Sequence, residues 1–181
     1  MTDTTQELSP AVAKFIVHWG EMGSRWGINR TMAQIHALLY VSEEPLTAEA
    51  IAETLSVARS NVSTSIRELQ SWGLVRVVHV LGDRRDHFQA LTDVWEMFRI
   101  ILAERKRREV DPTLERLRDC MEESERSGET HPYAQERLRE LLSFFELTGE
   151  WYEQVYRLPR RTLMALVKMG SRIAEVVDRR R

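Results

Sequence analysis

The stretch from Leu55 to Thr92, LSVARSNVSTSIRELQSWGLVRVVHVLGDRRDHFQALT, constrains this chain more than any other. Two hydrophobic periods meet in it. Val62, Ile66 and Leu69 recur at i, i+4 and i+7, one stripe of a helix. At about 100° per residue, Ser60, Thr64, Arg67 and Ser71 fall on the opposite side, with Asn61 and Ser63 flanking them. Gly73 stops the helix, because a glycine takes the left-handed C′ conformation at little cost. Leu74 to Leu81 is then β-branched and extended, and Gly82-Asp83 followed by Arg84-Arg85 gives a charged hairpin tip.

The outer face of that helix is small, polar and hydrogen-bonding, with one arginine at its centre. A helix that only needed solubility would more often carry Glu and Lys there. A helix that must press into a DNA major groove needs short side chains and a few donors. Ser60, Asn61, Ser63, Thr64 and Arg67 are therefore candidates for the groove. Arg67 can donate to guanine O6 and N7, and Asn61 can read adenine or hold a phosphate. Arg84 and Arg85 at the hairpin tip suit a narrow, electronegative minor groove. Arg59 and Arg76 suit phosphates, which set position rather than sequence. Each has a plainer alternative: solvation for the Ser/Thr/Asn face, protection of the hairpin edge for Arg84-Arg85, and pairing within its own helix, to Ser63 or Glu68, for Arg67.

Composition narrows the function. The 181 residues carry a net charge of −2, which argues against a protein that coats nucleic acid non-specifically. Between Ser56 and Asp86, however, Arg59, Arg67, Arg76, Arg84 and Arg85 face only Glu68, Asp83 and Asp86, a modest local basic patch. Cys120 is the single cysteine, so an internal disulfide is excluded, as suits a reducing cytoplasm. MTDTTQELSP lacks the basic and apolar regions of a signal peptide. No apolar run reaches the length of about 18 residues needed to span a membrane. Phosphate-loop, nucleophile-elbow and paired zinc motifs are absent, so neither catalysis nor a cofactor is expected. His18, His36, His79, His87 and His131 show no metal-ligand spacing.

Along the chain, Ser9-Pro10 starts a helix with Ser at the N-cap and Pro at N1. Val12, Phe15, Ile16, Trp19, Met22 and Trp26 form its apolar stripe, and Gly27 ends it. Asn29 can cap a second helix with Ile35, Leu38 and Leu39 on its core side. Thr47 caps a short third helix, AEAIAETL. At the N-cap of the Arg59–Trp72 helix stands Ala58, where the loss of a capping side chain costs roughly 0.5–2 kcal/mol; Ser56 or a DNA phosphate can take over those free amides. Beyond the hairpin, a long helical stretch from about Asp93 to Glu123 precedes loop composition at Ser124–Pro132. Two further helices follow. Leu138, Leu141, Leu142, Phe145 and Tyr152 form the stripe of one, and Leu163, Leu166, Gly170, Ile173 and Val177 a side-by-side packing seam on the other. Three regions result: 1–28, an N-terminal dimerisation helix; 29–92, a winged helix-turn-helix; and 93–181, a helical dimerisation and effector region.

This order of elements resembles the MarR superfamily of winged helix-turn-helix regulators. Ser60-Asn61-Val62-Ser63, Ile66-Arg67-Glu68-Leu69, Trp72-Gly73-Leu74-Val75-Arg76-Val77-Val78 and Gly82-Asp83-Arg84-Arg85-Asp86 are similar to its GbsR branch, as is Phe15–Trp26 with Gly20 and Gly23 at its centre. The branch includes the choline-responsive repressor of glycine betaine synthesis. The resemblance implies a mainly α fold with a small two-stranded antiparallel wing. It also implies a homodimer joined through its N- and C-terminal helices, a pseudopalindromic double-stranded DNA operator, and repression relieved by a small-molecule effector. Aromatic faces attract a quaternary ammonium by about 0.5–2 kcal/mol per contact. That makes Trp19, Trp26, Trp95, Trp151, Tyr152 and Tyr156 candidates for a choline-type cage, with core packing the plainer role for Trp19 and Trp26. A winged-helix module for protein partners is the competing function. It would expose Leu, Phe or Met on the face that here carries Ser, Thr and Asn.

Overall fold

The computed structural model describes residues 8–169. In chain order its elements are α1 (Pro10–Arg25), α2 (Arg30–Val41), β1 (Leu46–Thr47), α3 (Ala48–Leu55), α4 (Arg59–Trp72), β2 (Val75–Val78), β3 (His87–Ala90), α5 (Val94–Arg105), one wider π-type turn (Lys106–Val110), α6 (Asp111–Ser127), α7 (Pro132–Tyr156) and α8 (Arg160–Met169). They fall into two compact units, the first ending at Ile101 and the second beginning at Leu102.

In the first unit the helix starts are set by side chains that satisfy amides the helix itself leaves free. Ser9 Oγ accepts from Val12 N at 3.4 Å, Asn29 Oδ1 from Met32 N at 3.2 Å, and Thr47 Oγ1 from Ala50 N at 3.2 Å. Asp93 does the same for α5, accepting from the amides of Trp95 and Glu96 at 2.9 and 3.1 Å. Gly20 and Gly23 let α1 lie close against α2. A Cβ on Gly23 would stand 2.7 Å from Ala33 Cβ. The core gathers Ile35, Leu38, Ile51 and Val62, all without solvent exposure, with Ile66 and Leu69 beside them. The stripe expected on α4 thus faces inward.

α3, the turn and α4 form a helix-turn-helix, and β2 with β3 forms its wing. Ser56 makes the turn in the left-handed region at φ 53° while Val57 N donates to Ala52 O at 3.0 Å. Gly73 closes α4 at φ 80°. The two-stranded antiparallel wing is as expected, and the short β1 adds to the free side of β3 to give a three-stranded sheet in the order β1-β3-β2. Leu46 pairs with Phe88 on one side of β3 and Val77 with Phe88 on the other. β1 is only two residues long, too short for alternation to announce it. Pairing along β2 stops at Val78 rather than running on to Leu81.

In the second unit α6 buries Leu117, Met121 and Ser124, and α7 packs along it. Arg118 of α6 reaches Glu146 of α7 with Nη2 and Nε at 3.0 and 3.1 Å from Oε1. The π-type turn has a local cause. Pro112 lacks an N–H and its ring would collide with the carbonyl of Arg108 in a regular helix, and a wider turn immediately before it relieves both. α6 continues past Glu123 to Ser127, because Ser124 is buried and Gly128 supplies the left-handed stop at φ 65°. On α8, Leu163 and Leu166 are half-buried; Gly170, Ile173 and Val177 of the expected seam lie outside the described residues. Among the described residues no helix is long and apolar enough to cross a membrane.

Candidate nucleic-acid interface

The α4 face opposite the core is open. Arg59, Ser60, Asn61, Ser63, Thr64 and Arg67 are all exposed, while Val62, Ser65, Ile66 and Leu69 are buried behind them. The N-terminus of α4 carries no side-chain cap, since Ala58 offers none. Asn61 N and Val62 N both donate to Ala58 O, at 2.9 and 3.2 Å, so the amides of Arg59 and Ser60 and the positive end of the helix dipole are what this end offers an anion.

The arginines are not equally free to meet a ligand. Arg59, the first residue of α4, forms an ion pair with Glu49 of α3. Arg67 Nε donates to Ser63 O, one turn back on its own helix, at 3.3 Å. Arg76 Nη2 donates to Gln89 Oε1 across the wing at 2.8 Å. Arg85 is held most firmly: its Nη2 lies 2.6 Å from Asp83 Oδ2 and its Nε 3.1 Å from Asp83 Oδ1, while its own backbone N–H donates to Oδ1 at 3.0 Å. Those bonds from Arg85 hold the Asp83 carboxyl well below the usual carboxylate range. Arg84 is exposed and has no hydrogen bond or ion pair among the described residues. The wing tip therefore presents one free guanidinium, Arg84, and one neutralised by its neighbour.

Periodicity did not single out Leu81. It stands beside Gly82 at the very tip, 102% exposed. A side chain so fully presented next to a free arginine has the character of the apolar wedges that enter minor grooves. The signal was present in the sequence, as an aliphatic residue directly before a turn glycine, but there it reads as the end of a strand.

The aromatic residues fall in separate places. Trp19 and Trp26 line one cavity of the first unit, together with Met22, Met32, His36, Trp72 and Leu74. Trp72 was missed; its spacing of three from Leu69 places it on the inward stripe of α4. The cavity offers about 40 Å³ of free space, enough for water but far below the roughly 300–1,000 Å³ of a ligand site. Trp26 is half-exposed at its rim. His36 is 3% exposed and its Nε2 has no partner, and burial pushes its pKa down to about 4, so the ring is neutral at physiological pH. Trp95 does not line this cavity. In the second unit Trp151 and Tyr152 line a groove, Tyr152 stacks on Tyr156 at 5.8 Å, and Lys106 Nζ already lies 5.8 Å from the centre of the Tyr152 ring.

The model of the MarR family matches residues 26–86, the segment that holds α2, α3, α4 and the wing tip. Among solved structures, one described as a transcriptional regulator is 23% identical with a TM-score of 0.58, over 81% of this chain and 96% of that one. A MepR variant from S. aureus bound to an oligodeoxyribonucleotide is 17% identical with a TM-score of 0.38, over 78% of this chain and 99% of that one. No curated protein matches the chain. The first of these likenesses establishes a shared fold.

Proposed function

We propose that this protein is a sequence-specific DNA-binding transcriptional regulator of the MarR superfamily, a repressor of the GbsR type acting as a homodimer on a pseudopalindromic operator. One observation carries the proposal. The solvent face of α4 is built from Ser60, Asn61, Ser63, Thr64 and Arg67 around an uncapped helix N-terminus, with Arg84 free at the wing tip. Short donors and acceptors suit base edges, an open helix end suits a phosphate, and a free arginine suits a narrow minor groove. An adaptor for protein partners would instead need an apolar anchor on that face.

The test is fluorescence anisotropy of the purified protein with its own upstream DNA, at two salt concentrations and with scrambled competitor. Tight, competitor-resistant and salt-sensitive binding is the expected result. Weak binding that is equal for both DNAs would favour a protein partner or a missing ligand.

A choline-type effector remains part of the proposal, now centred on Trp19, Trp26 and Trp72. Three indole faces and a neutral imidazole suit a quaternary ammonium by cation–π attraction, and the cavity lining carries no charged side chain. Entry requires Trp26 to swing outward, and Leu69 and Trp72 would carry that displacement to the end of α4. Isothermal titration with choline and glycine betaine tests it. No heat at millimolar ligand would sink the cage.

A further inference from the structure

The wing ends in a corner that holds an aliphatic side chain out in water. Strand pairing stops at Val78 and His87, so His79 to Asp86 form the loop between the strands. At its far end Asp83 N donates to Val80 O at 3.1 Å and closes a four-residue turn. Gly82, third in that turn, takes the positive φ of 87° that some turns require there. Leu81, second in the turn, is left at the corner, fully exposed, with Val80 partly exposed beside it. The loop behind Leu81 is braced. The Asp83 carboxylate accepts from Arg85 N, Nε and Nη2, and His87 Nε2 stands 3.6 Å from Asp83 Oδ2. A side chain presented on so tied a loop needs little further ordering when a partner covers it.

We propose that Leu81 is a wedge: it enters the minor groove beside Arg84, slides between two base pairs and kinks the operator at that step. The inference rests on the DNA-binding reading above and specifies what the wing adds to it. Charge alone does not hold the tip on DNA, because Asp83 and Asp86 offset Arg84 and Arg85 and leave the loop with no formal net charge. Burial of Leu81 supplies the missing attraction, and a duplex offers few apolar surfaces for it. Thymine methyls lie in the major groove, which α4 fills in this reading. On the minor-groove side the apolar surface is the base faces, opened when two neighbouring pairs unstack. Leucine is among the side chains that open them, and it is slender enough for a groove about 6 Å wide. Pyrimidine–purine steps, TA and CA/TG, unstack most readily. The wedge therefore selects sequence at a step where the protein makes no base hydrogen bond.

Fluorescence energy transfer between the ends of a duplex of the protein's own upstream DNA tests this on the full chain, alongside anisotropy at several salt concentrations. The wild-type protein is expected to bend the duplex by about 20–90°. Leu81→Ala changes a fully exposed turn residue, so far-UV circular dichroism and thermal melting should be unchanged. It should weaken specific binding about tenfold or more and abolish most of the bend. The salt slope should stay as in the wild type, because no charge is lost. Leu81→Met, close to leucine in volume, should restore both affinity and bend. A wild-type protein that binds specifically to an unbent duplex would overturn the wedge and leave the DNA-binding reading standing. So would a Leu81→Ala variant that bends DNA as the wild type does, or a Leu81→Met variant as impaired as Leu81→Ala. No preference for the upstream DNA over scrambled competitor would overturn both.

Discussion

The two units spend their apolar residues differently. In α2 seven of twelve residues are buried: Met32, Ala33, Ile35, His36, Ala37, Leu38 and Leu39. In α7 none of twenty-five is buried, although leucine, phenylalanine, tryptophan and tyrosine recur throughout it. The first unit closes a core around α2, although Val94 and Phe98 of α5 remain about half exposed. The second lays α7 on α6 and leaves another apolar face open. Stability of the first unit is therefore intramolecular, whereas the second unit leaves an apolar face of α7 that its own helices do not cover. The difference is physical: the closed core holds α4 rigidly from behind, and α7 has no such backing on its open face.

The largest effect expected from this contrast is in the core. Ile51 has no solvent exposure and lies against α4 from α3. Ile51→Ala should cost about 2–5 kcal/mol in urea denaturation, at every protein concentration. Leu147→Ala should leave the denaturation of dilute protein unchanged and shift the midpoint only where chains associate. Equal, concentration-independent losses would remove the distinction between a closed and an open unit.

His36 makes the closed core sensitive to acid. Burial lowers its pKa from 6.5 in the unfolded chain to about 4 in the folded one. Between those values the unfolded state binds the extra proton, so stability is complete above about pH 6.5 and is lost as pH falls towards 4. At 1.36 kcal/mol per unit the loss is bounded by about 3 kcal/mol. The cavities that His36 lines contain no carboxylate or basic group to offset this. His36→Leu should flatten that stretch of the stability profile, measured by thermal denaturation from pH 4 to 7. An unchanged slope would place the acid sensitivity elsewhere.

The same contrast explains what could be read in advance. Caps and stops are local, so Ser9, Asn29, Thr47 and Gly73 could be placed from neighbouring residues alone, and the two faces of α4 followed from its period. Strand β1 could not be foreseen, since two residues have no period and their partner lies some forty positions away. The π-type turn needs the collision of Pro112 with the preceding turn, which is a matter of geometry rather than residue type. On α7, Leu141 was grouped with Leu138 and Leu142, yet the helix turns it outward. A helix with apolar residues on two faces does not declare which one its own chain will cover. For the candidate interface, exposure was legible but availability was not. Arg84 and Arg85 are adjacent and chemically identical, and only the fold ties Arg85 to Asp83. Arg84→Ala should therefore reduce the salt slope of DNA binding by about one, and Arg85→Ala by less, as read from titrations at several salt concentrations.

The smallest effects come from two glycines and sharpen the comparison most. Both lie inside helices, where alanine is intrinsically preferred by about 0.8–1.0 kcal/mol. At Gly23 in the closed unit, an added methyl would meet Ala33 Cβ at 2.7 Å, a rigid neighbour. Overpacking there costs about 1–3 kcal/mol and outweighs the propensity gain, so Gly23→Ala should lower the melting temperature. At Gly149 in α7 the methyl meets nothing within 4 Å. Gly149→Ala should raise stability by somewhat under 1 kcal/mol, because no neighbour opposes the gain. Gly149 borders a groove with Leu114 and Arg118 of α6 rather than the open stripe, so the gain should not depend on protein concentration. A loss at Gly149 would mean that a neighbour opposes the methyl there as Ala33 does at Gly23, and the two units would no longer differ in how tightly their helices are packed.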